Sequence, residues 1–203
     1  RGKKTMQNKK KRILIGSSGA SGMPLLLCCL ELIRKAENYE SHLILTPSAL
    51  LTLEHECGLK EKDLQKYADK IYSPGEYPED IGASPASGSF LTEGMLVIPC
   101  SMKTLAGIQT GYTDNLLLRA ADVTIKEQRR LILAVRESPL SAIHLRNMAQ
   151  LALLPGVRIM PLMLTYYHCP RTLEDMTNQV AARLVEPFGI KSEEYHRWEG
   201  LKT

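Results

Sequence analysis

The stretch Arg12-Ile13-Leu14-Ile15-Gly16 runs directly into Ser17-Ser18-Gly19-Ala20-Ser21-Gly22, and then into Met23–Ala36, whose apolar spacing is helical. A β-branched run, a turn of small residues and a helix make the opening of a βαβ unit. This limits what the chain can fold into more than any other feature. Because the run shows no polar alternation, it must be covered on both faces, as in a parallel sheet flanked by helices. Pro24 is tolerated because it falls in the helix's first turn.

The alternation continues to the end of the chain. Further strands are predicted over Ser41–Thr46, Gly94–Pro99, Leu131–Val135 and Val157–Met160. Helices are predicted over Ser48–Glu56, Asp63–Ile71, Ser101–Gln109, Asp114–Glu127, Ser141–Leu153 and Leu173–Glu186. Between Tyr72 and Ser89 lie three prolines, three glycines and four serines, the composition of a long loop. The pattern predicts a single Rossmann-like, flavodoxin-type doubly wound parallel sheet in three α/β/α layers over residues 12–203. A chain of 203 residues can bury such a core without metal or disulfide staples. Ligands in such folds sit at the carboxyl ends of the strands.

The net charge of +4 suggests nucleic acid at first sight, but seven of the basic side chains fall in residues 1–12, with no acid among them. Without those seven, acids outnumber bases, so the charge belongs to a solvated tail over residues 1–11. With few aromatics as well, neither a nucleic-acid nor a membrane partner is expected. The five cysteines show no C-x-x-C spacing and read as free thiols in a reducing compartment. The five histidines show no ligand spacing, so no metal site is expected. No apolar run is long enough to span a bilayer. The chain is expected to be cytoplasmic, or organellar if the basic tail is a trimmed transit segment.

Several segments carry candidate chemistry. The loop Gly16–Gly22 joins a strand to a helix N-terminus, the geometry that binds phosphate with backbone N–H groups. Its G-x-x-G-x-x-G spacing is neither the dinucleotide fingerprint nor a Walker loop, and so suggests a mononucleotide or a plain turn. Cys100-Ser101-Met102-Lys103-Thr104 also opens a helix, where Ser101 and Thr104 suit either capping or an anion. Cys100 has no charged neighbour in sequence and reads as an inert thiol. Arg119, Lys126, Arg129, Arg130 and Arg136 are expected behind strand ends, where guanidinium forks match phosphate oxygens. Ser84–Ser89 suits a lid or a plain linker. Tyr166, Tyr167 and Trp198 suit either an apolar ligand or the core. His55 and Glu56, adjacent on a helix, are expected to point different ways.

Taken in order, Gly19-Ala20-Ser21-Gly22, Ala86-Ser87-Gly88-Ser89-Phe90, Pro99–Ala106, Arg119-Ala120-Ala121-Asp122-Val123 and Arg136-Glu137 with Pro139-Leu140 resemble the flavin prenyltransferases, the UbiX-like proteins. The resemblance runs from Arg12 to Gly200. It implies a large homo-oligomer, a dodecamer, with flavin sites between subunits, and it implies a metal-independent reaction. In that reaction a dimethylallyl group passes from dimethylallyl phosphate to N5 and C6 of reduced FMN. The product, prenylated FMN, then serves a UbiD-type decarboxylase. Carried over by motif, Gly19, Ala20, Ser21, Thr46, Ser101, Thr104 and Arg136 would hold FMN. Ala86, Ser87, Gly88, Arg119, Lys126, Tyr167 and Arg183 would meet the prenyl donor. Ser21, Glu56, Glu137, Lys126, Tyr167 and Trp198 would carry the chemistry. Thr46 stands where the family usually has Ser, Met23-Pro24 replaces a small pair, and Pro85 sits in the lid loop. Two other readings fit the same fold. One is a cysteine-decarboxylase-type flavoenzyme, which needs a His base and a Met-Asn-x-x-Met signature that this sequence lacks. The other is a non-catalytic FMN-carrying subunit of a decarboxylase system, which would not require two anion sites. No direct aromatic-acid decarboxylation is expected.

Overall fold

The structure, a computed structural model, describes residues 10–74 and 82–200. The predicted basic tail falls almost wholly outside the described residues. Six strands alternate with helices: β1 (Lys11–Ser17), α1 (Met23–Lys35), β2 (Tyr39–Leu45), α2 (Pro47–Cys57), β3 (Lys70–Tyr72), β4 (Gly94–Cys100), α3 (Met102–Thr110), α4 (Leu116–Lys126), β5 (Arg130–Val135), α5 (Ala142–Ala152), β6 (Val157–Ile159) and α6 (Leu173–Val185). All neighbouring strands are parallel, in the order β3-β2-β1-β4-β5-β6. The order steps one way from β1 to β3 and the other way from β4 to β6. The crevice between β1 and β4 is therefore the topological switch point, where such sheets bind ligands.

The strand periodicity assigns the helices to their layers. Ile13, Ile15, Leu43, Leu45, Leu96, Ile98 and Ile132 share one core with α1, α2 and α6. The intervening Leu14, Ile44, Met95, Val97, Leu131 and Leu133 share the other with α3, α4 and α5. Side chains alternate across a strand, so the continuous apolar runs serve both layers at once. In α1, Met23, Leu26, Leu30 and Ile33 form the buried stripe, at helical spacing. Cys29 Sγ of α1 donates to Ala181 O of α6 at 3.8 Å, small residues that let the two helices approach closely.

All five predicted strands and the predicted fold stand. The predicted helix over Asp63–Ile71 does not: a 3₁₀ turn over Glu61–Lys66 is followed by β3. The reason is a long-range exchange. Asp69 accepts from Ser41 N at 2.8 Å and from Ser41 Oγ at 3.1 Å, while Asp69 N donates to Ser41 Oγ at 3.1 Å. These bonds draw residues 69–72 alongside β2, and helix propensity yields to them. The predicted loop after Tyr72 holds a short 3₁₀ turn at Ser84–Ala86, and its residues 75–81 lie outside the described residues.

Candidate active site

The carboxyl edge of the sheet is tied together at the switch point by Ser18. Its hydroxyl donates to Pro99 O at 2.8 Å and accepts from Ser101 N at 2.8 Å, so one buried side chain joins the loop after β1 to the end of β4. Sequence reasoning did not single out Ser18, whose only signal is its place in a run of small residues. Across the loop, Thr52 Oγ1 donates to Gly19 O at 3.1 Å. A Cβ on Gly19 would fall on Ser48 Cβ, so the glycine permits a close approach of loop and α2.

Glu56, near the end of α2, reaches the N-terminus of α1. Its Oε2 accepts from Gly22 N at 3.0 Å and from Met23 N at 2.8 Å. The loop Gly16–Gly22 was expected to offer N–H groups to a phosphate. Two of them, at Gly22 and Met23, meet the chain's own carboxylate instead. Burial works to raise the Glu56 pKa. The hydrogen bonds from the Ser21 hydroxyl and the two N–H groups, with the nearby Arg136 charge, outweigh it and hold the carboxyl below its ordinary range. Glu56 is therefore ionised at neutral pH and acts as an acceptor. Arg136 follows β5, its N–H bonded to Cys100 O at 3.1 Å. Its side chain is exposed and makes no ion pair among the described residues. Glu137 beside it is also exposed and accepts from Ser138 N at 3.1 Å.

Thr46 and Ser101 cap α2 and α3, accepting from Ala49 N at 3.2 Å and Thr104 N at 3.3 Å. Ser101 Oγ also donates to the buried Thr104 hydroxyl at 3.1 Å. Burial pushes the Cys100 thiol up to about 12, which makes it an inert group as expected.

Two cavities open from this edge along α6. One, of about 440 Å³, is lined by Ser21 and Glu56 and by the apolar Leu25, Leu162, Leu164 and Met176. His55 lines it too. The other, of about 580 Å³, is lined by Tyr167, Arg183 and Trp198. The Tyr167 and Trp198 rings lie 5.3 Å apart between centroids. Arg183 pairs with Glu186, which also pairs with Arg197.

The remaining expected site residues lie elsewhere. Arg119 and Lys126 were expected behind strand carboxyl ends, and Ser87 and Gly88 were expected to meet the same donor. Lys126, however, ends α4 where the chain enters β5, and Ser87-Gly88 precede β4. A Cβ on Gly88 would come within 2.8 Å of Lys126 Nζ, so these two share one corner, at the amino edge of the sheet. Lys126 pairs there with Glu127. Arg129 donates to Gly88 O at 2.7 Å and Phe90 O at 2.9 Å, fixing the loop. Arg119, two helical turns before Lys126, pairs with Asp122 at 2.6 Å. Ala86 is buried against the α3–α5 layer rather than facing a site. At about 3.3 Å per residue, the two sheet edges are separated by about 20 Å along β4. One chain therefore does not bring the Lys126 corner to the Glu56 crevice. Among the described residues no three His, Cys, Asp or Glu side chains gather to hold a metal, and no helix is long and apolar enough to cross a membrane.

The crevice suits a flavin mononucleotide: hydroxyls at two capped helix N-termini, a free guanidinium at Arg136, a backbone approach that only glycine allows, and an apolar cavity alongside. Fold and site together define an α/β flavin-binding protein. The flavoprotein family model matches residues 1–185. A probable UbiX-like flavin prenyltransferase of Streptomyces sp. (strain D7) is 44% identical over 192 residues, 95% of this chain and 94% of that protein. The crystal structure of AnUbiX (PadA1), in complex with FMN and dimethylallyl pyrophosphate, superposes with a TM-score of 0.89 at 36% identity, covering 96% of this chain and all of that one. A dodecameric FMN-dependent UbiX-like decarboxylase from Escherichia coli O157:H7 gives 0.88 at 43% identity, covering 93% of this chain and all of that one. The chain belongs to the flavoprotein family and, within it, to the flavin prenyltransferases: it is an enzyme that transfers a prenyl group to flavin.

Proposed function

We propose that the protein joins a dimethylallyl group, from dimethylallyl phosphate or its pyrophosphate, to N5 and C6 of reduced FMN, and that the prenylated FMN is passed to a UbiD-type decarboxylase. Reduced flavin supplies the electron-rich nitrogen and carbon. In the donor the carbon–oxygen bond to phosphate breaks, and phosphate is the leaving group. The observation that carries the proposal is the Glu56 crevice: an ionised carboxylate, anchored on two backbone N–H groups, facing an apolar cavity beside the switch point. Gly19, Ala20, Ser21, Thr46, Ser101, Thr104 and Arg136 would hold the flavin, and Glu56 would take a proton released beside it. Lys126, Arg119, Ser87 and Gly88 from another subunit, with Arg183 and Tyr167, would bind the donor's anion and stabilise the charge left on phosphate. Glu137 would serve beside Arg136. Trp198 and Tyr167 would wall the allyl group away from water, an aromatic face suited to developing positive charge. The separation of the two sheet edges supports a homo-oligomeric enzyme.

The test is anaerobic. Chemically reduced FMN is mixed with the pure protein and either donor, and the extracted flavin is weighed by mass spectrometry. A gain of one prenyl unit is expected, lost in Arg136→Ala. FMN that stays bound and unmodified with both donors would overturn the proposal in favour of a flavin carrier.

A further inference from the structure

We propose that Gln179 and Glu186 are positioning residues that lock the C-terminal segment Tyr195–Gly200 onto α6 and so hold Trp198 against Tyr167 over the larger cavity. The proposal rests on the reading of Tyr167, Arg183 and Trp198 as donor-side residues.

Residues 195–200 form neither helix nor strand and are largely exposed, so only bonds to the body of the protein can hold the segment in one place. Gln179 supplies two. Its Nε2 donates to His196 O at 2.8 Å and its Oε1 accepts from His196 N at 3.1 Å, pairing with one residue as a neighbouring strand would. The side chain is buried, with Met176 and Ala182 among the buried residues of the same helix. A buried amide is costly there unless both ends are satisfied, and His196 satisfies both. The next residue, Arg197, pairs with Glu186 Oε1, while Arg183 pairs with Glu186 Oε2. Burial acts to raise the Glu186 pKa, but the two guanidiniums outweigh it and keep the carboxyl below its usual range, ionised at neutral pH. Gln179 and Arg183 on α6 and Glu186, which caps its C-terminus, are four and three residues apart and so follow one another along one side. Two consecutive residues, His196 and Arg197, are thus fixed immediately before Trp198, whose ring meets Tyr167. Glu186 also occupies one side of the Arg183 fork and leaves its remaining N–H groups for the cavity.

Trp198 is the chain's single tryptophan, so its fluorescence anisotropy in the flavin-free protein, excited at the red edge where tyrosine does not absorb, reports this segment alone. Gln179→Leu and Glu186→Gln are compared with the unmodified protein in anisotropy, in FMN affinity, and in kcat and KM with dimethylallyl phosphate and its pyrophosphate. In Gln179→Leu the expected result is a lower anisotropy and a donor KM raised about tenfold, with kcat and FMN affinity within about twofold. Glu186→Gln, on the solvent side of the clamp, should show the same pattern at smaller amplitude, and it carries the test if the first variant does not fold. Anisotropy and donor KM unchanged in a folded variant would overturn the proposal. If the unmodified protein makes no prenylated flavin, the functional reading alone fails, because the anisotropy still tests the clamp.

Discussion

Replacing Glu56 by Gln tests whether its charge, and not only its shape, holds the crevice. The amide keeps an acceptor oxygen for Gly22 N and Met23 N, so what is lost is the charge on bonds of 3.0 and 2.8 Å. A hydrogen bond to a charged acceptor contributes about 1.5–3 kcal/mol, and a neutral one about 0.5–1.5 kcal/mol. Over two bonds the difference is about 2–3 kcal/mol. Solvent reaches part of the carboxylate and screens it, which leaves a net cost of about 1–2 kcal/mol. In a chain of this size that corresponds to a fall in Tm of about 3–6 °C. The pH dependence supplies a second check. The folded pKa of Glu56 lies below its ordinary value of 4.5. Its contribution is therefore complete above that value and is lost as pH falls through the folded pKa. The gap in Tm between the unmodified protein and Glu56→Gln should be full at pH 7 and should narrow below about pH 4.5. Scanning calorimetry from pH 7 to pH 4 measures both. Equal Tm at pH 7, or a gap that persists undiminished at the acid end, would refute the charge argument. Prenylation should be lost in the variant, and any activity approaching that of the unmodified protein would remove Glu56 from the chemistry.

Two further substitutions separate stability from function. In Gly88→Ala the new Cβ meets the flexible ends of Glu127 and Lys126 rather than backbone. Tm should stay within about 2 °C, since such surface changes stay within about 0.5 kcal/mol. The displaced Lys126 ammonium should raise the donor KM several-fold, and a steady-state KM like that of the unmodified protein would place Lys126 outside the donor site. Ser18→Ala removes the hydroxyl between Pro99 O and Ser101 N; Pro99 O keeps Ser18 N at 3.2 Å, while the part-buried Ser101 N loses its acceptor. The expected cost is about 1–3 kcal/mol, with weaker FMN binding by titration, and an unchanged melt and affinity would show that the bridge holds nothing.

The layers of the fold could be read from the chain because they rest on local signals: apolar runs for strands, and Thr46, Ser101, Asn115, Ser141 and Thr172 at helix starts. β3 was not legible, since Ser41 and Asp69, 28 residues apart, decide it. The same holds for the anchoring of Glu56 on Gly22, 34 residues away, and for Gln179 on His196, 17 residues on. Periodicity cannot register such pairings. The motifs around Ser21, Ser101 and Arg136 did predict a shared edge, because each follows a strand in a parallel sheet. The same reasoning failed for Lys126: it lies next to a strand, but at the end where that strand begins, as do Ser87-Gly88.

That failure has a functional consequence. If Lys126 and Glu56 act on one substrate pair, about 20 Å of β4 must be bridged, and no side chain reaches so far. A second copy of the chain, presenting its amino edge to the first copy's crevice, bridges it without any change in the fold. Coexpressed Glu56→Gln and Lys126→Ala chains, carrying different tags and purified as mixed oligomers, test this directly. Each variant alone should be inactive. In a random equal mixture, a site drawing the two residues from different chains is intact about one time in four, so about a quarter of the prenylation activity should return. A site contained within one chain predicts no recovery at any mixing ratio. Recovery above background therefore requires that the crevice and the basic corner belong to different subunits, and its absence in verified mixed oligomers would place both on one chain or remove Lys126 from the reaction.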